Sequence, residues 1–211
     1  MFSRFGKDRS PGGSGHGGDR TRPSRGWVEV LAYLKANESL RVLDFGTTSP
    51  ANINFLTSLG HSVYMANVVQ DANKPELKLP ADDPSGETYN VKEFVSSSLD
   101  FSGRDFDVVL LWDTANYLPG PLVPAMFERL HAVLRPQGRM LSLFHGATEG
   151  PATAFSRYQL SDTDQLHVQR AGDYSVKQVY QSRQIEKLLE KFSSTRFFLG
   201  KDNVREVIAV R

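Results

Sequence analysis

The sequence of 211 residues contains no cysteine, which excludes disulfides, thiolate nucleophiles and cysteine-bound metal and fits a reducing compartment. No apolar run approaches the roughly 18–20 residues that a membrane span takes. The opening residues, Met1-Phe-Ser-Arg-Phe-Gly-Lys7, lack the apolar core of roughly 7–15 residues found in a secretory leader. A cytoplasmic location is the expectation. An excess of one charge is missing as well. A net charge of +1 gives no bias toward nucleic acid or anionic lipid. The five histidines are scattered. Without His-x-Glu or His-Glu-x-x-His spacing they make no metal site. A Gly-x-Ser-x-Gly elbow and a Walker-type phosphate loop are also absent.

The length fits one sizeable domain that buries enough surface to need no staple. Residues 1–26 differ from the rest. They are Gly-rich and carry Pro11, Pro23 and the cations Arg4, Lys7, Arg9, Arg20, Arg22 and Arg25 against only Asp8 and Asp19. So few apolar groups cannot offset the entropy of ordering, so this stretch is expected to be a disordered tail, with the domain spanning 27–211.

From Trp27 onward the pattern alternates. Trp27, Val30, Leu31 and Leu34 have helical spacing. Leu40–Phe45 has the length of a buried strand. Ser49 and Pro50 suit an N-cap and a first helical position, because proline lacks the N–H that has no partner there. A helix over Ala51–Leu59 ends at Gly60, and a strand follows at His61–Val68. Gln70 to Tyr89 is polar and expected to be loop. Val91–Ser97 is ambiguous between a helix and the approach to a strand. Asp105–Trp112 is a strand, Pro124–Leu134 a helix and Arg139–Phe144 a strand. Residues 146–181 suggest a small antiparallel insertion, with alternation at Tyr158–Leu160, Gln165–Val168 and Val176–Tyr180. Gln184–Phe192 is an amphipathic helix, and Thr195–Leu199 and Arg205–Val210 form a closing pair. A pair joined by so few residues must be antiparallel. The fold class is therefore α/β: a Rossmann-like three-layer sandwich whose mostly parallel sheet carries an antiparallel C-terminal strand.

Three segments carry a family resemblance. Arg41-Val-Leu-Asp-Phe-Gly-Thr-Thr-Ser-Pro50 resembles the first motif of class I S-adenosylmethionine-dependent methyltransferases. Phe106-Asp-Val-Val-Leu-Leu-Trp-Asp113 resembles their fourth-strand motif. The segment Phe127–Leu141 resembles their helix, turn and fifth strand, and the order and spacing of the three agree. The resemblance implies S-adenosylmethionine as cofactor. It places Asp44 and Gly46 beneath the methionine part, with Thr48 in the same turn. Asn67 falls at the ribose position, Leu99 and Asp100 near the adenine, and Trp112 and Asp113 at the mouth of the fourth strand.

This sequence departs from the family at two places. Gly-x-Gly-x-Gly becomes Gly46-Thr-Thr48-Ser-Pro50, and the ribose acid becomes Asn67. Charged hydrogen bonds contribute about 1.5–3 kcal/mol and neutral ones about 0.5–1.5, so the second change implies about tenfold weaker binding. Each residue also has a plainer reading. Asp44 is either a cofactor-site acid or a buried acid held by a turn. Asp113 is either a base or a cap for Thr114–Tyr117. His145 ends a strand on the functional edge and could take a proton near neutral pH, or it is a histidine satisfied in the core. Methyl transfer to an unidentified small-molecule or protein acceptor is the expected activity, with nucleic acid and membrane not expected as partners. A non-catalytic ligand- or partner-binding protein is the alternative. A nicotinamide-dependent oxidoreductase is a third reading, opposed by the single glycine of the first turn and by the antiparallel closing pair.

Overall fold

The computed structural model describes residues 20–47, 49–82, 88–150 and 153–211. The main sheet has six strands in the order β3-β2-β4-β5-β9-β8. These are β2 (Arg41–Phe45), β3 (Ser62–Ala66), β4 (Phe106–Trp112), β5 (Leu134–His145), β8 (Ser194–Leu199) and β9 (Val204–Val210). β3, β2, β4 and β5 run parallel, and β9 lies antiparallel to both β5 and β8. The single reversed strand expected near the C-terminus is therefore β9. The chain runs outward from β2 to β3, then crosses back to β4 on the other side of β2. In such sheets a ligand crevice opens at the carboxyl ends of the strands flanking that reversal.

Strand β4 is buried at every position and supplies both layers. Val109 and Leu111 join one core with Phe94, Phe127, Leu130, Ile185 and Leu189. Val108, Leu110 and Trp112 join the other with Trp27, Val30, Leu34, Leu56, Tyr158 and Leu166. The first core lies under α3 (Val68–Ala72), α4 (Val91–Ser98), α5 (Thr114–Tyr117), α6 (Leu122–Val133) and α7 (Ser182–Leu188). The second lies under α1 (Arg25–Ala36), α2 (Pro50–Ser58) and a separate small sheet. The caps behave as their chemistry requires. Ser24 and Ser49 side chains accept from Trp27 N and Asn52 N, and Pro50 opens α2. Gly60, at φ +85, takes the left-handed conformation that ends α2. The ambiguous segment from Val91 is helix α4, capped by Asn90 and anchored by buried Phe94.

The small sheet has the order β1-β7-β6, all antiparallel: β1 (Arg20–Pro23), β6 (Ser156–Gln159) and β7 (Gln165–Arg170). β6 and β7 match the insertion read from the alternation, whereas Val176–Tyr180 forms no strand. That segment is held by Asn116 O, which accepts from Lys177 N at 2.7 Å. The expected disorder over 1–26 fails for its last seven residues. Arg20–Pro23 pairs with β7, and Arg25 and Gly26 begin α1. Composition missed this because a partner, not local apolar content, orders the strand. Residues 1–19 lie outside the described residues. The expected loop from Gln70 begins inside α3 and contains a short 3-10 turn at Pro75–Leu77. No helix among the described residues is long and apolar enough to cross a membrane.

Candidate functional site

Two groups of residues meet at the carboxyl ends of β2, β4 and β5. The first is built around Asp44, which is 1% exposed. Its Oδ1 accepts from Trp112 Nε1 at 2.6 Å and its Oδ2 from Asn52 Nδ2 at 2.9 Å. Asn52, in the first turn of α2, also donates to Tyr158 O at 2.9 Å and accepts from Leu160 N at 2.9 Å. One amide thus ties the acid of the main sheet to the backbone of the small sheet. Burial raises the Asp44 carboxyl to about 6, although both donors pull it down. Asp44 lies at the end of the first parallel strand, and the groups that engage its two oxygens are side chains rather than the backbone of the turn.

The second group is a buried acid–histidine pair with two tyrosines. Asp113 and His145 are 2% and 1% exposed, and His145 Nε2 lies 2.9 Å from Asp113 Oδ2. The Tyr158 hydroxyl donates to the same oxygen at 2.7 Å, while its ring stacks on Trp112 with centroids 4.9 Å apart. The Tyr117 hydroxyl donates to Thr153 O at 3.0 Å and stands 3.3 Å from His145 Nε2. Since a carboxylate only accepts, the contact with Asp113 Oδ2 places a ring proton of His145 on Nε2. Burial, and then the Asp113 carboxylate, push both tyrosine hydroxyls well above their ordinary range. Asn116 fixes the histidine from behind, its Oδ1 accepting from His145 N at 3.1 Å. The cap expected of Asp113 is only half present: Asp113 is the N-cap residue of α5, but its side chain makes no capping bond.

Beside these groups a crevice of about 500 Å³ opens, lined by Thr47, Asn67, Gln70, Phe155, Ala171, Gly172, Asp173 and Tyr174. Its floor is the turn after β2, where Gly46 N donates to Ala66 O at 2.9 Å. A Cβ added at Gly46 would meet only Trp112 Cδ1, at 3.8 Å, among the described residues. Pro50 is exposed and does not close the crevice.

Asn67 lines this crevice and caps α3 through Gln70 N at 3.5 Å. Leu99 and Asp100 do not reach it. Leu99 is fully buried in the core, and Asp100 Oδ1 accepts from Ser102 N at 2.8 Å. The resemblance places them near the adenine, but Leu99 is the apolar C-cap of the amphipathic α4 and turns inward with it. Trp112 is buried, with its indole N–H spent on Asp44. Thr48 lies outside the described residues. Asp173 on the crevice wall was not expected from the sequence, nor were the contacts of Asn52 with Asp44 and of Tyr158 with Asp113.

The nucleoside of S-adenosylmethionine fits the residues present. The crevice has the volume of a small-molecule site. It offers hydroxyl, amide and carboxylate groups together with two aromatic rings.

A family model described as a methyltransferase domain matches residues 19–193. No protein of curated function matches the chain. An S-adenosylmethionine-dependent methyltransferase from Methanosarcina mazei superposes with a TM-score of 0.50 at 16% identity, covering 86% of this chain and 96% of the other. Magnesium protoporphyrin IX methyltransferase from Synechocystis, with bound S-adenosylmethionine, gives 0.48 at 17% identity, covering 88% of this chain and 77% of the other. 1,6-Didemethyltoxoflavin-N1-methyltransferase from Burkholderia thailandensis, with bound 1,6-didemethyltoxoflavin and S-adenosylhomocysteine, gives 0.46 at 16%, with 89% and 79% covered. At these identities the likeness is one of fold.

Proposed function

The chain belongs to the methyltransferase domain family, and from that premise we propose that it transfers a methyl group from S-adenosylmethionine to an acceptor entering beside Asp113 and His145. The observation that carries this reading is the crevice at the strand reversal, with Thr47 and Asn67 on its wall. The sulfonium supplies an already activated methyl, so alignment of the acceptor provides most of the acceleration. Thr47 and Asn67 hold the donor's polar groups. Asp44 keeps the turn in place through Trp112 and Asn52.

Asp113 does different work. Its Oδ2 now receives the Tyr158 hydroxyl. An acceptor O–H taking that position delivers its proton to the carboxylate, while His145 Nε2–H keeps the second hydrogen bond. Withdrawal of β6 is required, because its Tyr158 hydroxyl occupies Asp113 Oδ2 and Asp113 is buried.

A second reading rests on that same burial. With Asp44 fully engaged and Asp113 sealed under Tyr158, the fold would hold a nucleoside without turning it over. Titration calorimetry with S-adenosylmethionine and S-adenosylhomocysteine tests both. Micromolar binding of either supports a donor site, and methyl transfer to added acceptors separates enzyme from binder. No heat at millimolar ligand would refute the donor site altogether.

A further inference from the structure

We propose that the methyl acceptor is a planar phenol, and that Tyr158 stands in the acceptor's place while the small sheet is closed. The inference rests on the transfer reading above and narrows its acceptor to one chemical class. A phenol already sits there, that of Tyr158. Its ring lies almost flat on Trp112, with 14° between the planes and centroids 4.9 Å apart. Its hydroxyl reaches Asp113 Oδ2 at 2.7 Å, the length of an O–H···O⁻ bond. His145 Nε2 stands 2.9 Å from the same oxygen. A flat apolar face and a carboxylate, set a ring's length apart, suit a phenol. An aliphatic alcohol leaves the indole face poorly covered. An ammonium ion has no lone pair for the methyl, and a carboxylate meets Asp113 with like charge.

The walls of this place belong to the main sheet, and only its occupant belongs to the cover. Trp112, Asp113 and His145 stand at the ends of β4 and β5, whereas Tyr158 comes from β6. The indole platform is held under strain. Trp112 has φ +52, in the left-handed region that bulky side chains avoid, and the register of β4 on β5 shifts between Leu110 and Trp112. Strain of this kind persists only where the surrounding structure enforces it, and it clusters at ligand sites. Here Asp44 fixes the indole N–H at 2.6 Å.

The place also adjoins the donor crevice. Trp112 Cδ1 lies 3.8 Å from where a Cβ on Gly46 would stand. On the other flank, Tyr117 packs edge to face on His145 and on Phe155, with centroids 5.8 and 5.0 Å apart, and Phe155 lines the crevice. When β6 withdraws and a free phenol takes the position, its oxygen forms the new bond to the methyl carbon as the carbon–sulfur bond of the donor breaks. The phenolic proton passes to Asp113 Oδ2 and then to water. The sum is an aryl methyl ether, neutral S-adenosylhomocysteine and one proton.

Calorimetry and methyl-transfer assays on the full chain test the assignment. Tyr158→Ala should bind p-cresol about tenfold more tightly than toluene, because one hydrogen bond to a charged group is gained. Wild type with S-adenosylmethionine should methylate p-cresol about tenfold faster than cyclohexanol or p-toluidine, which lose the ring contact or the O–H. Tyr158→Phe should lower the KM for p-cresol by about tenfold with kcat little changed, since the closed arrangement loses its bond to Asp113. Equal binding of toluene and p-cresol by Tyr158→Ala would overturn the phenol class while leaving the donor site standing. So would transfer to the alcohol or the arylamine as fast as to p-cresol, or binding of S-adenosylhomocysteine with no transfer to p-cresol. Should Tyr158→Ala not fold, the wild-type comparison decides by those same outcomes. A wild-type chain that binds no S-adenosylhomocysteine overturns the class together with the reading beneath it.

Discussion

Asp44 carries a charge in a place that disfavours charge. Its carboxyl is raised from 3.8 to about 6 by burial, so the folded chain holds this proton more tightly than the unfolded chain does. The sign follows from linkage. The contribution of Asp44 to stability is fully present below pH 3.8 and is lost as pH rises through about 6. Carboxyl-carbon NMR should give Asp44 a midpoint near 6, and Asn52→Ala should move it higher by removing a donor that favours the anion. A midpoint below 4.5 in the wild type would show that water reaches the site. The same Asn52→Ala change leaves Tyr158 O, Leu160 N and Asp44 Oδ2 each short of a partner. Its cost is about 3 kcal/mol, or about 6–12 °C in Tm for a chain of this size, which differential scanning calorimetry would read. At this scale the sequence pointed to Asp44 and Asp113 through their motifs, to Asn67 through the resemblance and to His145 through its place at a strand end. The contact between Tyr158 and Asn52 stayed hidden because it joins residues 106 apart, a separation that no local period encodes.

Strand β1 gains its order from partners far along the chain. Arg22 Nε meets Asp202 Oδ2 at 2.9 Å and its Nη1 meets Glu206 Oε1 at 2.8 Å, with Arg22 and Glu206 side chains 5% and 1% exposed. The other Glu206 oxygen accepts from Gly26 N at 2.7 Å and Ser24 Oγ at 3.0 Å. One carboxylate of β9 therefore organises both the end of β1 and the start of α1. Arg22→Met is expected to cost about 3–5 kcal/mol, because it leaves Glu206 buried without its cation. Urea denaturation checks this, and the loss should be nearly the same at low and high salt, since a buried pair is poorly screened. Replacing both Arg22 and Glu206 with apolar residues should recover part of the loss. The core-forming elements were legible in the sequence for a simple reason. β2, β4, α6 and β9 bury their own apolar pattern, so the period shows. β1 and the Val176–Tyr180 segment are ordered by polar contacts to Glu206 and to Asn116 O, and composition carries no trace of those.

Across the whole molecule, the small sheet acts as a cover. It is assembled from a strand before α1 and a hairpin after β5, and it lies over the ends of the strands where the acid–histidine pair sits. Its apolar contacts run through Tyr158, Leu160, Leu166 and Val168 into the core shared with Trp27. Its polar links to the rest include Asn52 to β6, the Tyr158 hydroxyl to Asp113, and Arg22 to Asp202 and Glu206. A unit with its own hydrogen-bonded ladder can open without unfolding the sheet beneath. Native-state hydrogen exchange should therefore find the amides of β6 and β7 opening at a lower free energy than those of β4 and β5. Asn52→Ala should speed exchange in β6 and β7 by tenfold or more. Under mild conditions it should leave β4 nearly unchanged, since β4 keeps its ladders to β2 and β5 and its packing against Trp27, Val30 and Leu34 of α1 when the cover lifts. If all four strands instead exchange together and respond equally to the substitution, the cover does not move independently. An acceptor would then have no route to Asp113, and the fold would be left as a closed nucleoside binder.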